Sequence, residues 1–251
     1  MARAAVAALV VSLAAAAVAY AAPFPRLPRE CSRSDYSSGG VLVRAALCLP
    51  AGSARAPAAI VLHGCGGFDT FDHRLAVELP QAGIATLYVD YFRPTPSPGR
   101  NGFCGGGSED AFAVWQREVV AAAAHLRRQG RIDPRRVAVV GWSLGGGLAL
   151  ATSAAHPRLF QARVAFSSGV PPGIRVHAVH GTPPTLLLSG GPADAVPLTW
   201  TQRLYRILRA AGVKVTLYDY GHGVHTWPRA QGTAGITVAE RFLRRTLDSA
   251  R

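Results

Sequence analysis

The stretch RVAVVGWSLGGGLALATSAA, from Arg136 to Ala155, constrains this chain more than any other. Val137 to Val140 is a short β-branched run, the pattern of a buried strand, and Leu148 to Ala155 reads as helix. Between them one serine, Ser143, stands two residues after Gly141 and two before Gly145. A strand that turns directly into a helix crowds its own backbone, and a Cβ at either glycine would clash. Gly-x-Ser-x-Gly at such a join is the nucleophile-elbow pattern, a strained turn that exposes the serine hydroxyl.

The flanking segments predict a single α/β domain. Apolar runs at Ala58 to Leu62, Ile84 to Val89, ARVAFSSG, PTLLLSGG and VKVTLYDY alternate with helical segments. The helices include Arg74 to Leu79, a long one ending near Gln129, LTWTQRLYRILRAAG and ITVAERFLRRTLDSA. Strands that read as continuous apolar runs between helices imply a mostly parallel twisted sheet covered on both faces. Val41 to Leu49 alternates weakly and is expected as an outer antiparallel strand. Function in such sheets gathers in loops at the carboxyl ends of the strands.

A serine hydroxyl needs a base, an acid to orient that base, and donors for the oxyanion that develops. Asp194, in LLLSGGPADAVP, follows a buried run and precedes a helix. Downstream of Ser143 the other carboxylates are Asp219, Glu240 and Asp248, within the last strand or on the last helix, which leaves Asp194 as the candidate acid. The base is expected in DYGHGVHTWP, where His222 and His225 both qualify and His225, later in the loop, is the better placed. Ser, Asp, His is the chain order of the α/β-hydrolases. Leu144, opening the helix, and Cys65 or Gly66, in LHGCGGF, are the candidate oxyanion N–H donors. Trp142, Phe68, Tyr91 and Trp227 are candidate walls of a substrate pocket.

These residues resemble the dienelactone hydrolase family of α/β-hydrolases, over most of the chain from about Ala58 to the end. VLHGCGGFDTFD is similar to the family's oxyanion loop, GIATLYVDYFRP to its next strand, RIDPRRVAVVGWSLGGGLAL to its elbow, and YGHGVHTW to its closing segment. In that last alignment Tyr220 opens the segment, His225 takes the catalytic place, and Trp227 the aromatic one. Asp194 falls where the family's aspartate lies. The resemblance implies an α/β-hydrolase fold without a large lid domain, and a triad of Ser143, His225 and Asp194. It also implies a bridge from Cys65 to Cys104, with Cys31 to Cys48 as the second. The founding members carry cysteine at the elbow, whereas Ser143 aligns this chain with serine esterases. The implied activity is hydrolysis of small carboxylic esters or lactones, with no cofactor and no metal. Acyl transfer, peptide cleavage, a cutinase-like polyester activity and a non-catalytic exported binder are the alternatives.

The first residues place the reaction outside the cytosol. Arg3, an apolar stretch from Ala4 to Val18 and Ala19-Tyr20-Ala21 form a signal peptide, expected over 1–22, with one domain over 23–251. Its removal would leave no stable membrane association and a periplasmic or secreted protein. Four cysteines in an exported chain imply two disulfides, and their spacings fit no zinc pattern. The net charge of +13 comes almost wholly from scattered arginines, with Lys214 the one lysine. No basic cluster interleaves with aromatics, so no nucleic-acid partner is expected. The sequence gives no oligomeric state.

Overall fold

The computed structural model describes residues 31–52, 55–92, 109–169 and 181–249. The expected signal peptide, Cys104 and the Pro/Gly-rich loop from Arg93 to Gly107 lie outside the described residues. Ten strands are described: β1 (Cys31–Arg33), β2 (Tyr36–Ser38), β3 (Val41–Val43), β4 (Ala45–Cys48), β5 (Ala56–Leu62), β6 (Ala85–Val89), β7 (Ile132–Trp142), β8 (Ala162–Phe166), β9 (Thr185–Ser189) and β10 (Val215–Asp219). The helices are α1 (Thr70–Glu78), α2 (Glu109–Arg127), α3 (Leu144–Ala155), α4 (Leu198–Ala210) and α5 (Arg229–Asp248).

Eight strands form one sheet in the order β1-β4-β6-β5-β7-β8-β9-β10. From β6 to β10 every pairing is parallel, while β4 and β1 run antiparallel at one edge. Strands β6, β8 and β9 are buried on both faces, as their apolar runs require, whereas the edge strand β10 is half-buried to exposed. On β5, Ala58, Ile60 and Leu62 pack with Trp115, Val119 and Leu148 under α2 and α3. Ala59 and Val61 point the other way, into a cluster with Phe71 and Leu75 of α1 and Ile236, Phe242 and Leu243 of α5. Helix α4 covers Ala165 and Leu187 with Leu204 and Leu208. This is the mostly parallel sheet expected from the alternation, in the α/β-hydrolase fold that the resemblance implies.

Two expectations need correction. The segment from Val41 to Leu49 is not one strand: β3 pairs with β2 in a separate two-stranded ribbon, and only β4 joins the large sheet. The break falls at Arg44, whose guanidinium Nε donates to Asp90 (3.0 Å) and whose carbonyl accepts from the Asp90 N–H (2.9 Å). The last helix begins at Arg229, before the ITVAERF segment where apolar spacing starts. Glycines 232 and 235 sit inside it because the helix lies flush on Trp227: a Cβ at Gly235 would stand 2.4 Å from that ring. Close packing overrides low helix propensity there.

Cys31 and Cys48 face each other across β1 and β4 and form a disulfide. Cys65 is also disulfide-bonded. No described helix is long and apolar enough to cross a membrane.

Candidate active site

Four loops at the carboxyl ends of parallel strands build the site: those after β5, β7, β9 and β10. Ser143 follows β7 directly with φ 54° and ψ −120°, a conformation that L-residues rarely adopt, and α3 starts at the next residue. The two elbow glycines are steric requirements. A Cβ on Gly141 would lie 2.1 Å from the Gly145 carbonyl oxygen, and one on Gly145 would lie 2.4 Å from the Leu62 and His63 carbonyl oxygens. These are backbone contacts, which no rotamer change relieves. They also bring the loop after β5 directly against the first turn of α3. The Ser143 N–H donates to the Phe166 carbonyl (2.9 Å), which fixes the turn to the neighbouring strand.

His225 Nε2 stands 3.0 Å from Ser143 Oγ, and His225 Nδ1 stands 2.8 Å from Asp194 Oδ1. An Nδ1–H donated to the carboxylate leaves the Nε2 lone pair facing the serine hydroxyl. His222, the alternative, is exposed and packs against the Tyr220 ring (4.8 Å between centroids).

The Asp194 side chain is fully buried. Its Oδ2 accepts from the Gly190 N–H (2.8 Å) and from the Ser167 hydroxyl, and its Oδ1 also accepts from the Val196 N–H (3.0 Å). Burial pushes this carboxyl up. The hydrogen bonds from His225, Ser167 and the two backbone N–H groups outweigh that, so Asp194 titrates below the ordinary carboxylate range. It is therefore an anion wherever His225 could act as a base.

The glycine loop after β5 closes as a tight turn, with the Gly67 N–H donating to the Gly64 carbonyl (3.1 Å) and Cys65 and Gly66 between them. His63 Nδ1 donates to the same carbonyl (2.8 Å). In a planar trans peptide C=O and N–H point in opposite directions. Pinning the Gly64 carbonyl therefore also fixes the direction of the Cys65 N–H. Leu144 is the first residue of α3, where N–H groups have no intrahelical acceptor. His63 is wholly buried between the rings of Tyr91 (4.2 Å) and Phe68 (5.0 Å). Burial lowers its pKa to about 4, against the opposing pull of Asp90 and the Gly64 carbonyl, so it is a neutral imidazole near neutral pH.

Of the four aromatic residues expected in a pocket, two leave no surface for a substrate. Tyr91 is 0% exposed, its hydroxyl donating to the His63 carbonyl (2.7 Å). Trp227 is 1% exposed, packed on Phe71 and Phe166, with Nε1 donating to Ser167 Oγ (2.6 Å). Both are supports, since a large ring beneath a strained turn is worth more as packing than as wall. Trp142 is nearly buried, and its Nε1 donates to the His225 carbonyl (2.9 Å). Phe68 is half-buried.

Three functional neighbours escape a reading by motif: His63 beneath the glycine loop, Ser167 beneath Asp194, and Gln231 beside the histidine loop. His63 was visible as the first letter of HGCGG. Ser167 and Gln231 carry no local signal. Among the described residues no group of three or more His, Cys, Asp or Glu side chains could hold a metal ion.

The prolyl oligopeptidase family model matches residues 82–171, a segment that holds the elbow but neither Asp194 nor His225. Two curated relatives from Mycobacterium tuberculosis, the uncharacterized proteins MT2364 (strain CDC 1551 / Oshkosh) and Rv2307c (strain H37Rv), are each 29% identical over 211 residues, 76% of this chain and 70% of theirs. Among solved structures, an esterase of the fungus Rhizomucor miehei superposes with a TM-score of 0.72 at 19% identity, covering 90% of this chain and 87% of its own. A dienelactone hydrolase-like promiscuous phosphotriesterase from metagenomic libraries gives 0.69 at 18% identity, over 86% of this chain and 98% of that one. The dienelactone hydrolase of Anabaena variabilis gives 0.64 at 20% identity, over 87% and 99%. The fold these structures share is the α/β-hydrolase fold.

Proposed function

We propose that this chain is a serine hydrolase of small carboxylic esters or lactones, acting through an acyl-enzyme. The observation that carries the proposal is the continuous chain of contacts from Ser143 Oγ to His225 Nε2 (3.0 Å) and from His225 Nδ1 to Asp194 (2.8 Å). His225, oriented by the Asp194 carboxylate, takes the Ser143 proton as Oγ attacks the carbonyl carbon. The tetrahedral oxyanion is held by the N–H of Leu144 and that of Cys65 or Gly66, each such donor being worth about 2.7–4 kcal/mol of barrier lowering. The imidazolium protonates the leaving alcohol, and the acyl-enzyme remains. Water, deprotonated by His225, then releases the acid and regenerates the serine. Dienelactone hydrolases and esterases among the structural neighbours support the ester or lactone class.

The chain is read as exported, with a leader over 1–22 and one domain over 23–251, and as periplasmic or secreted. The Cys31–Cys48 disulfide supports an oxidising compartment.

A fluorophosphonate probe on the exported form, with the adduct located by mass spectrometry, tests the reading. Labelling at Ser143 that is lost in Ser143→Ala and His225→Ala but kept in His222→Ala is the expected result. Folded protein that takes no label would overturn it. Product analysis with added alcohols or amines separates hydrolysis from acyl transfer.

A further inference from the structure

His225 reaches Ser143 from a loop, and what holds that loop is a side chain in the first turn of the next helix. Val224 to Trp227 closes as a turn, the Trp227 N–H donating to the Val224 carbonyl (3.3 Å), with His225 in its second position. Trp227 takes φ 47°, which ends the turn. The residue just before His225, Val224, has both of its backbone polar groups bound by one partner. Its N–H donates to Gln231 Oε1 (2.9 Å), and its carbonyl accepts from Gln231 Nε2 (2.9 Å). Gln231 is the third residue of α5 and is only 3% exposed. Its amide pairs with Val224 as a neighbouring strand would.

The other flank of Val224 is bridged to Ala193, next to Asp194, and the Gly223 N–H donates to the Gly190 carbonyl (2.6 Å). Gly190 lies between the two functional heads. A Cβ there would stand 2.9 Å from Asp194 Oδ2 and 3.1 Å from Gln231 Nε2. A Cβ on Gly223 would stand 2.4 Å from Gln231 Cδ. The loops of the acid and of the base are thus both packed against one buried amide.

We propose that Gln231 is the positioning residue for the base. By holding both backbone groups of Val224 it fixes where the His225 imidazole stands between Ser143 and Asp194. This rests on the reading of Ser143, His225 and Asp194 as the reacting groups. Only an amide fits the role. It offers one donor and one acceptor side by side, as the Val224 backbone demands. Methionine fills the space and offers neither, leaving a buried N–H and C=O unmet. Ionised glutamate offers two acceptors, one of them aimed at a carbonyl. Protonated glutamate again offers a donor and an acceptor.

That last property gives the test a readout that packing alone would not move. The charged or titratable groups around the position include Asp194 from the acid loop, His225 from its own turn, and Arg74 of α1, which donates to the Arg229 carbonyl (3.1 Å) in the first turn of α5 and is itself paired with Glu78 (2.6 Å). Burial beside a carbonyl and the Asp194 carboxylate raises the pKa of a glutamate placed there, against Arg74, whose charge is already paired with Glu78.

Wild type, Ser143→Ala, Gln231→Met and Gln231→Glu are compared from pH 5 to 8.5 on a short-chain activated ester, with kcat and KM separated and thermal melts alongside. Gln231→Met is expected to lose about 100-fold in kcat, the scale of a 1 Å misplacement, with KM little changed. Gln231→Glu is expected to match that loss at pH 8, and its deficit relative to wild type should shrink at least several-fold toward pH 5. If no ester is turned over, the rate of fluorophosphonate labelling at Ser143 replaces kcat. Wild-type kcat in Gln231→Met, or a Gln231→Glu to wild-type ratio that is flat with pH, would overturn the assignment. Full activity in Ser143→Ala would sink the underlying reading instead.

Discussion

The two sides of the site reach the same precision by opposite means. On the serine side the constraint is made of backbone, from the elbow itself and from the end of β5. Gly141 and Gly145 sit within four residues of each other, and each is forced by a carbonyl that cannot move. On the histidine side the constraint is made of side chains sent from elsewhere: Trp142 from β7, Gln231 from α5, and Ser167 from the end of β8 beneath the acid. A turn held by its own backbone either forms or does not. A turn held by remote side chains can be loosened one hydrogen bond at a time. Substitutions on the serine side should therefore act in an all-or-none way, and those on the histidine side by degrees.

The largest expected effects are on rate. Ser143→Ala removes the proposed nucleophile and should cost about 10⁶-fold in kcat. Asp194→Asn keeps the shape but favours the wrong imidazole tautomer, for about 10⁴-fold. Steady-state turnover of one ester measures both, and equal losses would break the comparison. Glycine substitutions extend it to stability. Gly141→Ala drives a Cβ into backbone on the serine side and should cost more than about 4 kcal/mol, read by urea unfolding. Gly223→Ala meets the movable head of Gln231 and should cost about 1–3 kcal/mol while disturbing His225. Gly66 is the control: no atom lies within 4 Å of a Cβ there, and alanine should change stability by less than about 0.5 kcal/mol.

Acid should distinguish the sides next. His63, under the glycine loop, is held near a pKa of about 4, below its ordinary 6.5. Between those values the unfolded chain binds a proton that the folded one does not. This contribution, about 3 kcal/mol at full size, is therefore lost as pH falls from 6.5 to 4. Asp194, titrating below 3.8, loses its contribution only at lower pH still. The slope from His63 is masked in wild type by Asp72. That buried carboxyl accepts from Tyr88 (2.6 Å), and burial raises it to about 7. The folded state binds the extra proton in this case, so the Asp72 contribution grows as pH falls through the same window. Wild-type stability should accordingly be nearly level from pH 7 to 4.5. His63→Gln, which can still donate to Gly64, should become more stable on acidification, and Asp72→Asn less stable. Parallel curves for the two variants would show that neither group carries the assigned shift.

The same contrast explains what could be read in the letters. The elbow was legible because its signature lies within GWSLGG, although the carbonyls that force Gly145 belong to Leu62 and His63, and the parallel sheet because its central strands are buried on both faces. Asp194 and His225 were legible as residue types after strands, and their place at the carboxyl ends of parallel strands, in the order Ser, Asp, His, pointed to one site. Their supports were not. Trp227 and Tyr91 look like pocket residues in a motif, and only the packing of Phe71, Phe166 and His63 around them makes them foundations. Gln231 lay hidden in QGTAG, whose two glycines belong in a helix only because Gly235 packs on the Trp227 ring and Gly232 on Arg74 and the Trp227 carbonyl. Contacts made across a turn or between separate elements leave no period and no spacing to find.

The smallest effect offers the finest test of graded control. Trp142 belongs to both sides: it immediately precedes the nucleophile, and its indole N–H holds the His225 carbonyl (2.9 Å). Its ring also fills the space over Gly64, where a Cβ would come within 2.5 Å of it. Trp142→Phe keeps an aromatic ring beside the elbow and removes the donor. A single neutral hydrogen bond contributes about 0.5–1.5 kcal/mol, so kcat should fall by about three- to tenfold with unfolding stability reduced by a similar energy. In the Gln231→Met background the same change should cost less, because the turn it steadies is already loose. A double-mutant cycle on kcat measures that difference. Strictly additive losses would mean that Trp142 and Gln231 steady the imidazole independently, and that the histidine loop is not one unit.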